Sequence, residues 1–169
     1  MTASLSIGRW NEGYVVRVCG RGTMRESRVL QECARTLGLE GAVALVVDLA
    51  NCDYLDSTFL GCLVSFQRRV GRESDRFAVY APPEAEKRLL HALQLHRFFR
   101  LIDALPETIG SCELLEMQSC DSVELGRHVM DCHRRLAELG GAQQEVFNRI
   151  ADQLAQELSR PSEEGSNKT

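Results

Sequence analysis

The sequence lacks the long apolar segments and the basic excess that would place it in a membrane or on nucleic acid. No apolar run approaches the roughly 18 residues that a membrane helix needs. Residues 1–9 contain no basic start followed by an apolar stretch, so we expect no secretory signal and a cytoplasmic protein. The net charge is −4 and the pI about 5.6, whereas phosphate binding requires a basic face. Neither membrane nor nucleic acid is therefore an expected partner.

The sequence also lacks the patterns of common catalytic and cofactor sites. Gly20-x-Gly22 follows a predicted strand, but no third glycine or lysine completes a phosphate-binding loop. No serine or cysteine lies in a recognised nucleophile context. His128, Cys132 and His133 share one helical segment, but a metal site needs further ligands, and we interpret them as a packed thiol beside surface histidines. We expect a non-enzymatic protein with no catalytic residue, metal or cofactor.

The cysteines do not indicate a disulfide framework. Their number is odd, no two are spaced as C-x-x-C, and several occupy apolar positions. Small buried thiols in a reducing compartment fit this pattern better. The seven are Cys19, Cys33, Cys52, Cys62, Cys112, Cys120 and Cys132.

Residues 1–116 have the pattern of one α/β domain. Residues 3–20 alternate as a β-hairpin, and residues 42–49 form a short β-branched run typical of a buried central strand. The predicted order is β-β-α-β-α-β-α-β-α, with a last turn of helix starting within Pro106 to Gly110. Single helices between strands imply a mixed, mainly parallel sheet with helices packed on it. We expect a chain ending at residue 116 to fold on its own.

Residues 117–160 predict a helical extension, either a hairpin or a bent helix. Asp121 and Glu124 form a helix start, and Gly140-Gly141 interrupts the pattern. The apolar seam of the extension packs on its own domain, forms a homodimer or binds a partner. It consists of Leu125, Val129, Cys132, Leu136, Leu139, Val146, Ile150, Leu154 and Leu158. Residues 161–169 are polar and predicted to be a disordered tail.

The segment Asp56-Ser57-Thr58-Phe59-Leu60-Gly61 follows the buried strand and opens the next helix. A serine there exposes its hydroxyl where helix amides favour an anion, so a phosphate at Ser57 would be stabilised. The alternative interpretation is that Asp56 or Ser57 only caps the helix, since both residue types are preferred at that position. The residues alone leave both interpretations open.

From about Leu5 to Pro106 the sequence resembles the STAS domain family, and within it the bacterial anti-sigma factor antagonists. The resemblance rests on the hairpin ending at Gly20, the strand 43–49, the Asp56-Ser57-Thr58-x-Leu60-Gly61 signature and the stretch 77–103. It implies that Ser57 is phosphorylated by a serine kinase that doubles as an anti-sigma factor, and dephosphorylated by a serine phosphatase. The unphosphorylated form would capture the kinase and free a sigma factor.

The resemblance also implies which residues meet the partner: Asp56, Ser57, Thr58, Phe59, Gly61 and Thr23. The family usually has glycine where Phe59 stands, so we expect a large ring to change the surface beside Ser57. It often has an acidic residue at the position of Thr23. Two other functions remain open: a scaffold subunit of a larger signalling assembly, and an accessory STAS subunit of a lipid transporter.

Overall fold

The computed structural model describes residues 2–38, 43–70, 75–107 and 109–161. In these ranges the chain forms seven strands, five α-helices and one short 3-10 helix, Leu95–Arg97. The strands are β1 Ser4–Trp10, β2 Gly13–Gly22, β3 Ala44–Asp48, β4 Cys52–Leu55, β5 Phe77–Tyr80, β6 Leu101–Ile102 and β7 Glu113–Leu114. The helices are α1 Met24–Thr36, α2 Ser57–Val70, α3 Pro83–Leu90, α4 Ser122–Ala137 and α5 Gln144–Ser159.

The sheet is mixed and mainly parallel, which confirms the predicted fold class. Its strand order is β6-β5-β3-β2-β1-β7, and β4 pairs with the end of β2. The hairpin β1–β2 and the pair β1–β7 are antiparallel, whereas the other pairs are parallel. Because single crossovers connect the parallel strands, α1, α2 and α3 return the chain across the sheet.

The main core lies between one face of the sheet and the helices. Side chains alternate across a strand, so Val16, Val47 and Val79 point into this core. Their neighbours Val15, Val46 and Ala78 point to the opposite face, where they form a smaller cluster with half-buried aromatic and aliphatic side chains. The larger cluster fixes the position of α2, which carries the candidate site.

Two predicted elements need correction, and two strands were missed. The expected helix start within Pro106 to Gly110 is wrong, because in the described part of that segment (residues 106, 107, 109 and 110) the chain is in turn or irregular conformation. The sequence also predicts a short strand over Phe98 to Ile102, but the strand begins only at Leu101. The sequence pattern also missed the short strands β4 and β7, each of which pairs with one neighbour only. The polar turn predicted at Gly71 to Asp75 lies, except for Asp75, outside the described residues, as does the tail 162–169.

The C-terminal helices form an antiparallel hairpin. Gly140 and Gly141 reverse the chain with φ angles of 75° and 84°, values that glycine adopts without strain. The start of α4 meets the end of α5, because a Cβ on Gly126 would contact the side chain of Leu158. Buried Leu136 and Phe147 join the main core, so the hairpin packs on its own domain.

Candidate partner-binding site

The candidate site lies at the carboxyl edge of the sheet, where the chain leaves β4 and enters α2. The backbone N–H of Asp56 donates to the carbonyl of Gly22 at the end of β2, at 3.0 Å. This bond holds the start of α2 next to the start of α1. Two helix N-termini, each with unpaired backbone amides, therefore meet at one place.

Asp56 satisfies amides of both helices. Its Oδ1 accepts from the N–H of Phe59 at 2.8 Å, which caps α2. Its Oδ2 accepts from the N–H of Met24, the first residue of α1, also at 2.8 Å. The cap of α2 is thus the aspartate, and the hydroxyl of Ser57 is available for another contact.

Thr23 caps the neighbouring helix α1. Its side chain accepts from the N–H of Arg25, while Glu26 reaches back to the Thr23 N–H at 2.8 Å, a complete capping box. Glu26 is buried by this arrangement. Thr23 therefore has a local structural role, and its predicted contact with a partner stays a prediction.

The Ser57 hydroxyl contacts a residue of α4. Its Oγ lies 2.9 Å from Nε2 of His133. Nδ1 of the same ring lies 2.7 Å from the carbonyl oxygen of Val129, and because a carbonyl only accepts, Nδ1 carries a proton. In the neutral imidazole Nε2 is then an acceptor, so Ser57 donates its hydroxyl proton to His133.

A second serine–histidine pair connects α4 to α1. Oγ of the buried Ser27 donates to the Met24 carbonyl at 3.0 Å and lies 2.7 Å from Nε2 of His128. The serine proton is already used, so Nε2 of His128 donates to Ser27. The two histidines therefore adopt opposite tautomers.

The closest approach of α4 to α2 is at Gly61. A Cβ at this position would collide with the carbonyl oxygen of Cys132, so only glycine permits this spacing.

Two thiols, Cys62 of α2 and Cys132 of α4, lie at the same crossing. The interaction with Cys132 and burial raise the pKa of Cys62 well above its usual range, and the interaction with Cys62 lowers the pKa of Cys132 to about 6, against the effect of burial. All seven cysteines are free thiols.

The structure places the predicted site residues unevenly. Asp56 and Ser57 are half-buried at the surface, whereas Thr58 and Gly61 are buried. Phe59 has no exposed area and lies in the main core. The expectation that its ring changes the surface beside Ser57 is therefore wrong. The ring lies on the buried stripe of α2, which also contains Leu63, Phe66 and Val70.

The accessible surface beside Ser57 comes from the neighbouring elements. Met24 at the start of α1 is 40% exposed, and Tyr54 of β4 is 44% exposed. The guanidinium of Arg21 lies 4.4 Å from the centre of the Tyr54 ring, a cation–π contact. We call Arg21, Met24 and Tyr54 the rim of the site. Sequence reasoning missed this rim, although Arg21 lies within the Gly20-x-Gly22 segment, Met24 follows it and Tyr54 precedes Asp56 by two residues.

Sequence reasoning also missed the roles of His128 and His133. Both are buried, so the interpretation as surface histidines is wrong. The available signal was their position: each is next to a residue of the apolar seam of α4, His128 beside Val129 and His133 beside Cys132. In the described ranges, no group of three histidine, cysteine, aspartate or glutamate side chains is placed to hold a metal ion, and no helix is both long and apolar enough to span a membrane.

Comparison with known proteins gives a consistent family. A curated relative from Mycobacterium tuberculosis, in strains CDC 1551 and H37Rv, is called anti-sigma-F factor antagonist RsfB. It is 24% identical over 106 residues, which cover 63% of this chain and 86% of the relative. The crystal structure of an anti-sigma factor antagonist from Mycobacterium paratuberculosis superposes with a TM-score of 0.52 at 26% identity, covering 62% of this chain and 88% of that one.

The family assignment rests on the match to a family sequence model. The model described as "Mlab, STAS domain" matches residues 7–103, more than half of the chain. The matched segment contains the second half of β1, β2 to β6 and α1, α2 and α3, including Asp56 and Ser57. It excludes the hairpin of α4 and α5. The chain therefore belongs to the STAS domain family, as its sequence resemblance predicts.

Proposed function

We propose that this chain is a phosphorylation-controlled anti-sigma factor antagonist in a bacterial partner-switching pathway, acting as a binding protein and not as an enzyme. The proposal rests on the different contacts of Asp56, which caps α2, and Ser57, whose hydroxyl contacts His133. Asp56 caps α2, so the hydroxyl of Ser57 is not needed for the helix start. The names of the mycobacterial relatives support the same class of function.

The switch acts through charge. Phosphorylation of Ser57 adds about −1.5 to −2 charges at neutral pH. A helix N-terminus stabilises an anion by roughly 0.3–1 kcal/mol, and the first turn of α2 contains no acidic side chain. A partner that closes over Ser57 must instead bury this charge beside Asp56, which costs several kcal/mol. Partner affinity then falls by orders of magnitude, because about 1.4 kcal/mol is tenfold.

The proposed partner is a serine-kinase anti-sigma factor in the cytoplasm, with a serine phosphatase that restores Ser57; the pathway regulates transcription. The rim of Arg21, Met24 and Tyr54 offers the partner an exposed thioether and an exposed ring beside Ser57. Aromatic, methionine and arginine side chains are enriched in protein interfaces. A homodimer through the C-terminal helices would have to use their outer face, where Val123 and Val146 are exposed.

Calorimetric titration against the cognate serine-kinase anti-sigma factor tests this proposal. We expect Ser57→Ala to bind as the wild type does and to resist phosphorylation, and Ser57→Asp to bind at least tenfold more weakly. Thr58→Ala is the matched control: Thr58 is the next hydroxyl but is buried, so the variant should still be phosphorylated. Equal affinities of the Ser57→Ala and Ser57→Asp variants would contradict the switch.

The scaffold function is the second candidate, because the hairpin covers part of α2 that lies beside Ser57. A scaffold uses its fold as an assembly surface and needs no phosphate at Ser57. The size of the native particle separates the two: a monomer or dimer supports the antagonist, and a large assembly supports the scaffold.

A further inference from the structure

The hairpin of α4 and α5 contacts the residue that the proposed function makes the switch. His133 accepts the only hydroxyl proton of Ser57 at 2.9 Å, and α4 crosses α2 one turn later at Gly61. The family match ends at residue 103, so this hairpin belongs to the part of the chain outside the matched segment. The relation between the hairpin and Ser57 is thus a property of this chain.

A phosphate on Ser57 removes the hydroxyl proton that makes the observed contact with His133. Phosphorylation replaces the hydroxyl proton with a group that carries only acceptor oxygens at neutral pH. In the contact with the Ser57 hydroxyl, Nε2 of His133 is the acceptor, because Nδ1 donates to the Val129 carbonyl. The phosphate oxygens and Nε2 of His133 would then both be acceptors. They would meet at a place where Ser57 Oγ and Nε2 are now only 2.9 Å apart. The bond is lost, and the phosphate requires space on the side of Ser57 that faces α4.

The remaining contacts of α4 allow it to leave without unfolding the sheet. Two contacts with α1 and α2 are ion pairs at the surface, Arg28–Glu124 at 3.9 Å and Arg68–Glu138, which contribute little in water. The hydrogen bond between His128 and Ser27 can be exchanged for bonds to water. The exposed segment 116–119 precedes α4 and connects it to the sheet. Apolar contacts of Leu136 and Phe147 hold the docked state.

We propose that docking of the hairpin on α2 and phosphorylation of Ser57 exclude each other, so that the hairpin opens when Ser57 is phosphorylated. The inference rests on the proposed function, because it takes Ser57 as the phosphorylated residue. Linkage makes the effect reciprocal: a docked hairpin disfavours the phosphorylated state by the same factor by which the phosphate disfavours docking. Through the opening of the hairpin, one phosphate on Ser57 then exposes the part of α2 on which α4 is docked.

Hydrogen exchange of the full chain with phosphoserine inserted at position 57 during translation tests the inference without any kinase. The matched control carries phosphoserine at Ser111, an exposed serine outside every helix and strand. We expect amides of α4 and α5 to exchange at least about tenfold faster with phosphoserine at 57 than in the unmodified chain or the control. Amides of β3 and β5 should exchange at unchanged rates.

Three outcomes would overturn the inference. Unchanged protection of α4 would show that the hairpin stays docked, for example with a protonated His133 that pairs with the phosphate. Slower exchange of α4 would show that the phosphate strengthens docking. Faster exchange in β3 and β5 to the same degree would show that the phosphate unfolds the domain instead of releasing the hairpin. The first two leave the proposed switch intact, and the titration of the Ser57 variants tests that switch separately.

Discussion

The hydroxyl of Ser57 and the imidazole of His133 are joined at 2.9 Å although 76 positions separate them in the chain. This contact places the C-terminal hairpin beside the first turn of α2. The site therefore has two parts. The first is the start of α2, which Asp56 caps and which presents Ser57. The second is helix α4, whose His133 contacts the Ser57 hydroxyl. Each part can be tested by its own substitutions.

Asp56 is expected to be a stability residue as well as a site residue. Asp56→Ala removes the acceptors of two helix-start amides, so the free energy of unfolding should fall by about 1–3 kcal/mol. Asp56→Asn keeps one side-chain acceptor and should lose less. The control is Asp53→Ala, an exposed carboxylate of β4 that should change stability by no more than about 0.5 kcal/mol. Chemical denaturation measures all three, and equal losses at positions 56 and 53 would contradict the double cap.

Gly61 is expected to set the distance between α2 and α4. Alanine normally favours a helix over glycine by about 0.5–1 kcal/mol, but at position 61 its Cβ would collide with the Cys132 carbonyl. Gly61→Ala should therefore weaken docking and raise hydrogen exchange in α4, with β3 unaffected.

Gly126→Ala provides the matched control for this substitution. It also adds a methyl group within a helix, but the methyl meets the flexible end of Leu158 at 3.1 Å instead of backbone. We expect it to leave the protection of α4 unchanged. If α4 had the same hydrogen-exchange protection in Gly61→Ala as in Gly126→Ala, the close backbone approach at Gly61 would have no role in docking.

We further propose that residues 1–116 fold without the hairpin, because β7 ends at Leu114 and completes the sheet. Removing the hairpin also removes buried Leu136 and Phe147 from the main core. The truncated chain should unfold cooperatively, with a free energy of unfolding lower by roughly 3–6 kcal/mol. Denaturation followed by circular dichroism measures this difference. A non-cooperative, gradual transition would show that the hairpin is required to complete the domain.

The strongly periodic elements could be predicted from the sequence. The inward stripe of α2 and the buried run of β3 have clear periods, and both are confirmed. The strands β4 and β7 have four and two residues, too few for a pattern, and they form only because β2 and β1 offer edges to pair with.

The covering of the site could be predicted only in part. Leu60 and Val64 make α2 apolar on more than one side, and a helix that is apolar all round is buried on all sides. This pattern indicates that something covers α2, and the apolar seam of α4 is the matching surface. The pairing of His128 with Ser27 and of His133 with Ser57 depends on where α4 lands, which no local pattern contains.

The central proposal is that Ser57 is the phosphorylated switch, and intact-mass analysis of the protein isolated from its native host tests it most directly. We expect a fraction of the molecules to carry the mass of one added phosphate, with peptide mapping placing it on Ser57. The chromosomal Ser57→Ala variant should lose that species, while Thr58→Ala should keep it. A phosphate that persists in the Ser57→Ala variant, or its absence from the wild type under every growth condition that changes sigma factor activity, would contradict the proposal.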